Sequence, residues 1–438
     1  MLKRELGLLD VFMITSGSMI AAGLFVLPGI AFSRAGPAVI LSYGLAAIIA
    51  LPTLLSAAEL STAMPKAGGI YYFVSRGIGY KVGAIAGFSR WAAITLKSAY
   101  ALLGIGIYSA SFINHNPKLI AAVTCIIFIT INLLGIKIVG FAQITFTAIL
   151  IGLIGFFVIS SAPSLQFDHF TPFFETGFLP VISTAGFIFI SYGGLLVVTG
   201  LAEEVKRPRR NIPLGMIIGL MVTGLIYTSV VFIAVGVLEA GELSKTLTPV
   251  ADIAGTTSGR TGFIVASLAA LLAFITTANA GIAAASRYPL AMSRDGLLPP
   301  VLALSFFKND LPSISIVITG LLMILAITIL PLVTLVQVAS ILLIISYALA
   351  NVAQLVLRKK QVKNYKPTFK APFFPWLQYI SITGLLILLV QIGLKPLLWA
   401  LVFSGLALIF PLVRAKYLGD NSIPLPPEPK NMRFKKRL

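Results

Sequence analysis

Two hydrophobic segments of this chain are interrupted by small residues that could expose backbone groups to a ligand. The first contains Gly17-Ser18-Met19-Ile20-Ala21-Ala22-Gly23, and the second contains Ser191-Tyr192-Gly193-Gly194. Small side chains in the first break leave backbone amides open, and amides at the start of a half-helix favour a carboxylate. In the second break, the carbonyls of Ile190 and Gly193 suit an ammonium group. A ligand that carries both groups on one carbon is an α-amino acid.

The elements that carry these breaks have the composition of transmembrane helices. Of the 438 residues, 58% are hydrophobic and only 11% are charged, and the mean hydropathy is +0.99. A soluble protein of this size needs far more charged surface, and the apolar runs repeatedly reach the ~20 residues that span a bilayer. The pattern predicts twelve spans, at about 9–32, 38–62, 83–112, 118–135, 139–161, 180–203, 212–238, 260–290, 312–331, 333–357, 375–395 and 397–416.

The spans form two blocks that each begin with a broken helix, one at about 9–161 and one at about 180–357. Because each block has an odd number of spans, the second must be inserted with the opposite orientation. The expected fold is therefore an all-α membrane protein with an inverted repeat of spans one to five and six to ten, in which helices one and six are discontinuous. Helices eleven and twelve, at about 375–416, are expected to be peripheral, and residues 417–438 to form a cytoplasmic tail. All of 1–438 is predicted to be one transmembrane domain.

The charge distribution predicts the orientation of the chain. The formal net charge is +19, and the cations are concentrated in loops such as 206–210 and 358–370, whereas Asp168, Glu175 and Glu239 lie in loops on the other side. This is the positive-inside bias. It predicts cytoplasmic termini and a multi-pass protein of the cell membrane, and it explains the positive charge without nucleic acid as a partner.

No pattern of residues typical of an enzyme is visible in the sequence. The two histidines, His115 and His169, lie far apart in predicted outer loops, so a zinc site is not expected. The sequence has no P-loop, so it does not encode ATP-driven transport. We expect no cofactor and no enzymatic activity.

Four motifs in the same order resemble those of the amino acid–polyamine–organocation transporters. Residues 17–25 look like the family's G-S-x-I-G-x-G-[IL]-F, and residues 65–71 resemble its P-x-A-G-G-x-Y. Residues 203–213 resemble E-E-x-x-x-P-x-x-x-x-P, and residues 286–299 match the pattern at the end of the eighth span. The resemblance implies the five-plus-five inverted-repeat fold and secondary active transport of an amino acid by alternating access.

The resemblance also implies where the substrate binds. Its carboxylate is expected at Ala22 and Gly23, and its ammonium group at the carbonyls of the sixth span. The expected substrate-binding residues are Met19, Ile20, Ala21, Ala22, Gly23, Lys97, Ile190, Ser191, Tyr192 and Gly193. The chain departs from the family at Ala21, where the pattern has glycine, and at Leu195 and Leu196, where many members carry a Glu or a large aromatic residue. Because no acid is visible at the midplane, a small neutral amino acid is the expected substrate, with an acidic one second.

Lys97 is the clearest intramembrane charge, and three interpretations of it remain open. It lies ~21 Å along the third span, and a charge at this depth costs about 3 kcal/mol or more unless it is paired or solvated. It could attract an acidic side chain of the substrate, exchange a proton during transport, or extend to the interface or a structural partner. Arg90, closer to the inner interface, is expected to snorkel. Glu59, Glu203 and Glu204 are expected either to pair with Arg287, Lys206 or neighbouring cations at the inner boundary or to lie on a solvated surface.

The driving force also has more than one candidate. The possible coupling residues are Gly17, Ile20, Lys97, Ala273, Thr276 and Thr277. Three backbone carbonyls and the two threonine hydroxyls could form a five-oxygen shell for sodium, or both threonines could bond to carbonyls of their own helix. Several relatives replace sodium with a lysine of the fifth span, but the matching residue here is Leu150. Proton coupling through Lys97 and uncoupled exchange are the alternatives to sodium.

A different class of function stays open on the same fold. A transport-inactive amino acid sensor or receptor subunit would bind the ligand without moving it. An ion channel is disfavoured, because no ring of pore-lining polar residues is visible. The expected partners are an amino acid, possibly Na+ or H+, and the lipid bilayer, and the sequence leaves the oligomeric state open.

Overall fold

The regular secondary structure in the described part of the chain is helical. The computed structural model describes residues 5–20, 22–65, 68–113, 115–134, 141–305, 312–360 and 365–418. Within these ranges the only bridge between extended segments is the isolated one that joins Leu6 and Val205. The expectation of an all-α protein is therefore confirmed.

The helices follow the hydrophobic segments of the sequence closely. The first eight are α1 (Leu8–Met19), α2 (Ala22–Phe25), α3 (Leu27–Ala35), α4 (Val39–Ala63), α5 (Gly69–Gly77), α6 (Tyr80–Ala110), α7 (Pro117–Leu134) and α8 (Phe141–Ser161). The others are α9 (Leu179–Phe187), α10 (Pro208–Val237), α11 (Ala240–Leu243), α12 (Pro249–Arg294), α13 (Ser313–Ile329), α14 (Leu332–Lys359), α15 (Trp376–Gln391) and α16 (Leu394–Leu418). Short 3₁₀ helices lie between them at Gly36–Ala38, Ala162–Ser164, Phe167–Phe170, Ile188–Gly194, Val197–Glu204 and Pro300–Ala303.

Both predicted breaks interrupt α-helical geometry. In the first segment α1 ends at Met19, and the chain continues through the four-residue α2 into α3. In the sixth segment α9 ends at Phe187, and the chain continues as the 3₁₀ helices Ile188–Gly194 and Val197–Glu204. A 3₁₀ helix has poorer hydrogen-bond geometry than an α-helix. Both segments therefore expose backbone groups that need partners from elsewhere in the protein.

The helices identify a multi-pass membrane protein. Eight helices in the described ranges are long and apolar enough to cross a membrane, and the number is nine if the bent pair Trp376–Gln391 and Leu394–Gly405 forms one span. The apolar helices α1 and α13 are shorter, with 12 and 17 residues. The number of spans thus depends on how the pieces of broken segments are grouped, and the count of twelve stays a prediction.

Helix α6 lies at the centre of the assembly. It packs against α5, α7, α12 and α14. In its most apolar 18-residue stretch 83% of the residues are buried, whereas the corresponding share in α7 is 17%. Helix α7 instead presents apolar side chains such as Ile126 and Ile127 outward. A helix with such an outer surface is suited to lipid rather than water.

The sixth segment shares this central position. In the most apolar 18-residue stretch of Leu179–Ala202, 83% of the residues are buried. The 3₁₀ helix Ile188–Gly194 of this segment packs against α1, α2, α4, α6 and α14. The first break contacts α10 and α12 as well. Both breaks therefore lie inside the protein, where any ligand would be surrounded by helices.

Candidate functional site

The two broken segments cross at very close range. An added Cβ atom at Gly194 would overlap the Ser18 carbonyl, and one at Gly23 would overlap the side chain of Ser191. Only glycine lets backbones approach so closely. The structure therefore brings together the two breaks that the sequence placed some 170 residues apart.

Tyrosine hydroxyls supply partners for the backbone carbonyls of the breaks. Tyr227 donates to the Met19 carbonyl at 2.6 Å and lies 3.4 Å from the Ser191 carbonyl. Tyr43 donates to the Gly23 carbonyl at 3.0 Å. A carbonyl left without a partner in the membrane interior costs several kcal/mol. These hydroxyls thus make the interruption of the helices tolerable.

Tyr192 belongs to the same hydrogen-bond network through both its side-chain hydroxyl and its backbone carbonyl. Its hydroxyl donates to the Tyr43 carbonyl at 2.9 Å, and its own carbonyl accepts a hydrogen bond from Tyr347 at 3.0 Å. The side chain is fully buried. In the structure, this expected substrate-binding residue therefore supports the two breaks through hydrogen bonds to neighbouring helices. Sequence reasoning did not single out Tyr43, Tyr227 or Tyr347, although a buried tyrosine generally needs a partner for its hydroxyl.

Lys97 and Arg90 project from α6 to the two breaks. The Lys97 ammonium donates to the Ser18 carbonyl at 2.7 Å, and Arg90 donates through Nη2 to the Gly193 carbonyl at 3.0 Å. The expectation that Arg90 snorkels is wrong: it is 1% exposed, and its guanidinium lies 5.6 Å from the centre of the Tyr347 ring. The spacing places Arg90 on the same face of α6 as Lys97, because residues two helical turns apart share a face, but it does not specify which carbonyl each cation reaches.

A small cavity lies between these side chains and the second break. It is lined by Arg90, Ala93, Ile94, Lys97, Ile190, Gly193, Ala339 and Leu343. Its volume, about 10 Å³, is close to that of a single water position. Three expected site residues, Lys97, Ile190 and Gly193, thus line one enclosed space.

The other expected binding residues surround this space without lining it. Met19, Gly23, Ser191 and Tyr192 are held by the glycine contacts and tyrosine hydrogen bonds described above, and Ile20 is fully buried at the end of α1. Residue 21, also part of the expected site, lies outside the described residues, and Ala22 is the first residue of α2. The Ile190 amide is already used within the protein, since it donates to the Ser340 hydroxyl at 3.0 Å.

The candidate coupling residues show two different arrangements. The Thr276 hydroxyl donates within its own helix, 3.0 Å from the Leu272 carbonyl and 2.9 Å from the Ala273 carbonyl. The Thr277 hydroxyl is buried without a hydrogen-bond partner among the described residues. Gly17 lies directly against Thr147 of α8, a helix that packs on both α1 and α12. Within the described residues, no group of three or more His, Cys, Asp or Glu side chains could hold a metal ion.

Glu59 pairs with a cation other than Arg287 and Lys206, the two expected by name. Its carboxylate is fully buried and pairs with Arg358, Nη1 to Oε2, at 3.1 Å. The Tyr365 hydroxyl donates to Oε1 at 2.7 Å, and the Ala371 amide donates to Oε2 at 2.7 Å. Burial and the Glu59 carboxylate raise the pKa of the Tyr365 phenol, which therefore stays protonated as a donor. Pairing with Arg287 or Lys206 is thus wrong, and Glu59 instead fastens the segment after α14 to the end of α4.

Three of the sequence motifs contact segments that are distant in the sequence. Tyr71, in the second motif, donates to the Asp295 carboxylate of the fourth motif at 2.6 Å. Burial and that carboxylate raise the pKa of the Tyr71 phenol, so it too remains a donor. In the third motif, the Glu204 carbonyl accepts from the Leu6 amide at 3.0 Å, and the Lys206 amide donates to the Leu6 carbonyl at 2.8 Å. The motifs therefore join loops that are distant in the sequence.

Comparison with known proteins gives matches over nearly the whole chain. A family model described as amino acid permease matches residues 6–421. The chain is 28% identical over 434 residues to the branched-chain amino acid permease of Bacillus subtilis, with 93% of each protein covered. It is 27% identical over 400 residues to the methylthioribose transporter of Bacillus subtilis, with 87% of this chain and 86% of that protein covered.

A third similarity, to a plant protein, covers a smaller part of the chain. The chain is 26% identical over 346 residues to the vacuolar cationic amino acid transporter 4 of Arabidopsis thaliana, which covers 73% of this chain and 58% of that protein. These relatives are named as permeases or transporters and not as enzymes, in agreement with the expectation of no enzymatic activity.

Proposed function

Because the chain belongs to the amino acid permease family, we propose that it is a secondary active transporter of a small amino acid. It works by alternating access in the cell membrane, with both termini in the cytoplasm. In this proposal the chain has twelve spans, of which one to five and six to ten form an inverted repeat and eleven and twelve are peripheral. Transport of amino acids is the general activity of the family, and the substrate and the mode of transport are the parts proposed here.

The observation that carries the proposal is the meeting of two interrupted helices inside the protein. The first break contacts the 3₁₀ helix Ile188–Gly194 directly, and residues of that helix line a cavity with Lys97. Paired interruptions at membrane depth, with backbone groups turned to a cavity, are typical of transporter substrate sites. Simple helix packing does not require the breaks, because continuous helices pack closely through small residues alone.

The substrate is proposed to bind through its backbone. The amides of Ala22 and Gly23, at the start of α2, would receive the carboxylate, and the carbonyls of Ile190 and Gly193 the ammonium group. In the state described, Arg90 occupies the Gly193 carbonyl. A substrate ammonium must therefore displace the guanidinium from this carbonyl or share it.

The walls of the cavity support a small side chain without positive charge. Ala93, Ile94, Ala339 and Leu343 are apolar, and the two charged lining residues are both cations that would repel a basic substrate. The two relatives covered over 93% and 86% of their length are named for branched-chain amino acids and for methylthioribose, neither of which is basic. A small neutral amino acid is the first candidate, and an acidic one the second.

The packing of the helices supports a rocking mechanism. Helix α10 packs on both α1 and α4, and α6 packs most extensively on α12. The first group belongs to the predicted spans one, two and seven, and the second to spans three and eight. In the proposal, spans one, two, six and seven rock against three, four, eight and nine, and the site opens to each side in turn.

For coupling, we favour a proton at Lys97 or exchange over sodium. The Lys97 ammonium holds the Ser18 carbonyl in the first break, so a positive charge is already provided there by the protein. The Thr276 hydroxyl donates a hydrogen bond to the Ala273 carbonyl, so both oxygens are less available to coordinate a cation. Sodium remains the alternative if Gly17, Ile20, Ala273, Thr276 and Thr277 rearrange to share it.

Counterflow in proteoliposomes tests the proposal. Liposomes that contain the purified chain are loaded with unlabelled amino acids, and uptake of labelled ones is followed with and without sodium and a pH gradient. We expect uptake of a small amino acid without sodium, a pH dependence that Lys97→Gln removes, and normal behaviour of Lys81→Gln, a control at an exposed lysine of the same helix. Absence of counterflow for every amino acid, with binding retained, would instead establish the sensor function.

A further inference from the structure

Arg90 and Lys97 form a pair of buried cations that face no buried carboxylate among the side chains that the structure describes. They are 1% and 7% exposed, and both line the same cavity. Among the acidic side chains whose burial the structure describes, which leave out Glu203, Glu59 is the only buried one, and it pairs with Arg358 at one end of α4. A buried charge without a counter-charge is strongly unfavourable in the membrane interior.

The contacts of the two side chains leave much of their hydrogen-bonding capacity unused. Arg90 uses Nη2 for the Gly193 carbonyl, while Nε and Nη1 are buried without a hydrogen-bond partner among the described residues. Lys97 has three donors, of which one reaches the Ser18 carbonyl. The phenols of Tyr288 and Tyr347 interact with the guanidinium, including as longer-range hydrogen-bond partners, but neutral phenols do not cancel its charge. Donors and positive charge thus remain available on both side chains.

The geometry directs both cations to one place. Seven residues of α-helix correspond to two turns, or ~10.5 Å, a distance that two long side chains can close. Gly193 lies between them: its carbonyl accepts from Arg90, and a methyl group in place of its hydrogen would lie 3.4 Å from Cδ of Lys97. The two cationic side chains therefore converge on Gly193 at the wall of the cavity.

We propose that Arg90 and Lys97 together bind a monovalent anionic group in this cavity, and that this group is the side-chain carboxylate of an acidic amino acid or a free chloride ion. If the anion is a side-chain carboxylate, the inference rests on the proposed transport of amino acids, and the substrate is aspartate or glutamate. If the anion is chloride, the inference requires only the site, and the chloride ion would bind together with a neutral substrate. Either anion supplies the missing negative charge and accepts the unused donors, as charge-assisted hydrogen bonds do.

Matched ligands distinguish the two sources. Thermal unfolding of the purified protein in detergent is measured in choline gluconate with glutamate or glutamine, with aspartate or asparagine, or with choline chloride alone. Stabilisation by the acids but not by the amides identifies the carboxylate, and stabilisation by chloride alone identifies the halide. If neither the acids nor chloride stabilise the protein beyond the amides and gluconate, the proposal is overturned.

Variants assign the effect to the two cations. Loss of a charged hydrogen-bonding partner is expected to weaken anion binding about 10- to 100-fold in Arg90→Gln and in Lys97→Gln, whereas Lys81→Gln should bind like the wild type. An anion affinity unchanged in both site variants would contradict the proposal. Where a site variant fails to fold, the comparison of acid and amide on the wild-type protein still decides.

The same measurements separate this inference from the proposed function. Counterflow of neutral amino acids that no anion influences, together with no anion stabilisation, would retain the transporter and overturn the anion site. Stabilisation by chloride without counterflow of any amino acid would retain the anion site and overturn the transporter.

Discussion

At the scale of single residues, hydroxyl groups replace missing helical hydrogen bonds. Tyr227 is the central case, because its hydroxyl is 2.6 Å from the Met19 carbonyl in the first break and 3.4 Å from the Ser191 carbonyl in the second. Its ring also packs against Tyr43 and Tyr192 in edge-to-face geometry. A single side chain therefore holds both interrupted segments.

Removal of this hydroxyl should destabilise the protein. In Tyr227→Phe the ring is retained, but the Met19 carbonyl loses its donor, so we expect a loss of about 1–3 kcal/mol. Thermal unfolding in detergent measures it, with Tyr379→Phe as the control because that tyrosine is 42% exposed. Equal unfolding temperatures for the two variants would show that the Met19 carbonyl finds another partner.

Residue identity alone could not reveal these contacts. Small residues at 17–23 and 191–194 predicted the breaks, because a membrane helix that opens its backbone needs room for the groups that replace its own hydrogen bonds. The donors come from α4, α10 and α14, which are distant in the sequence. Arg90 was misjudged for the same reason: a cation near a helix end usually snorkels, and only the position of the Gly193 carbonyl turns it inward.

At the scale of elements, the site depends on two broken segments that cross at glycines, where a side chain would not fit. Gly194 lies against Ser18 and Met19 of α1, and Gly23 lies against Ser191. This crossing sets the distance between the amides of α2 and the carbonyls of the 3₁₀ helix Ile188–Gly194. The spacing of the two proposed halves of the site is therefore fixed by glycines.

A methyl group at the crossing should separate the two segments. In Gly194→Ala the new Cβ overlaps backbone atoms of Ser18, which cannot rotate away, and such overpacking typically costs about 1–3 kcal/mol or more. Gly200→Ala is the matched control, because an added Cβ there has no neighbour within 4 Å. We expect reduced thermal stability and loss of counterflow in Gly194→Ala only. Similar activity in the two variants would show that the crossing is not needed for transport.

At the scale of the whole molecule, the helices form a bundle with an apolar outer surface. The breaks lie in its interior, and the Glu59–Arg358 pair fastens the segment after α14 at one end. Both the net charge of +19 and its concentration in alternate loops fit an orientation with the termini inside.

Cysteine labelling tests this orientation. The single cysteine, Cys125, is buried, and Cys125→Ala provides an unlabelled background. On that background, a membrane-impermeant maleimide added to intact cells should label Lys118→Cys and Glu242→Cys. It should label Lys81→Cys and Arg209→Cys only after lysis. All four positions are exposed to solvent or interface, and labelling of the two groups in the reverse pattern would invert the proposed topology.

The sequence by itself determined the class of the protein, the positions of the two breaks and the family. These properties depend on local composition: apolar runs of membrane length, small residues within them, and motifs read in order. The number of spans was not determined in this way, because helix length alone joins residues 27–63 into one span and leaves α1 too short to count.

The tertiary structure decided which backbone groups are already satisfied and where the buried charges point. It placed Lys97 on Ser18, Arg90 on Gly193 and Arg358 on Glu59, none of which follows from spacing along the chain. The physical reason is that a polar group in a membrane takes whichever partner the packing brings within reach. Its choice therefore depends on contacts between helices, which a single sequence does not specify.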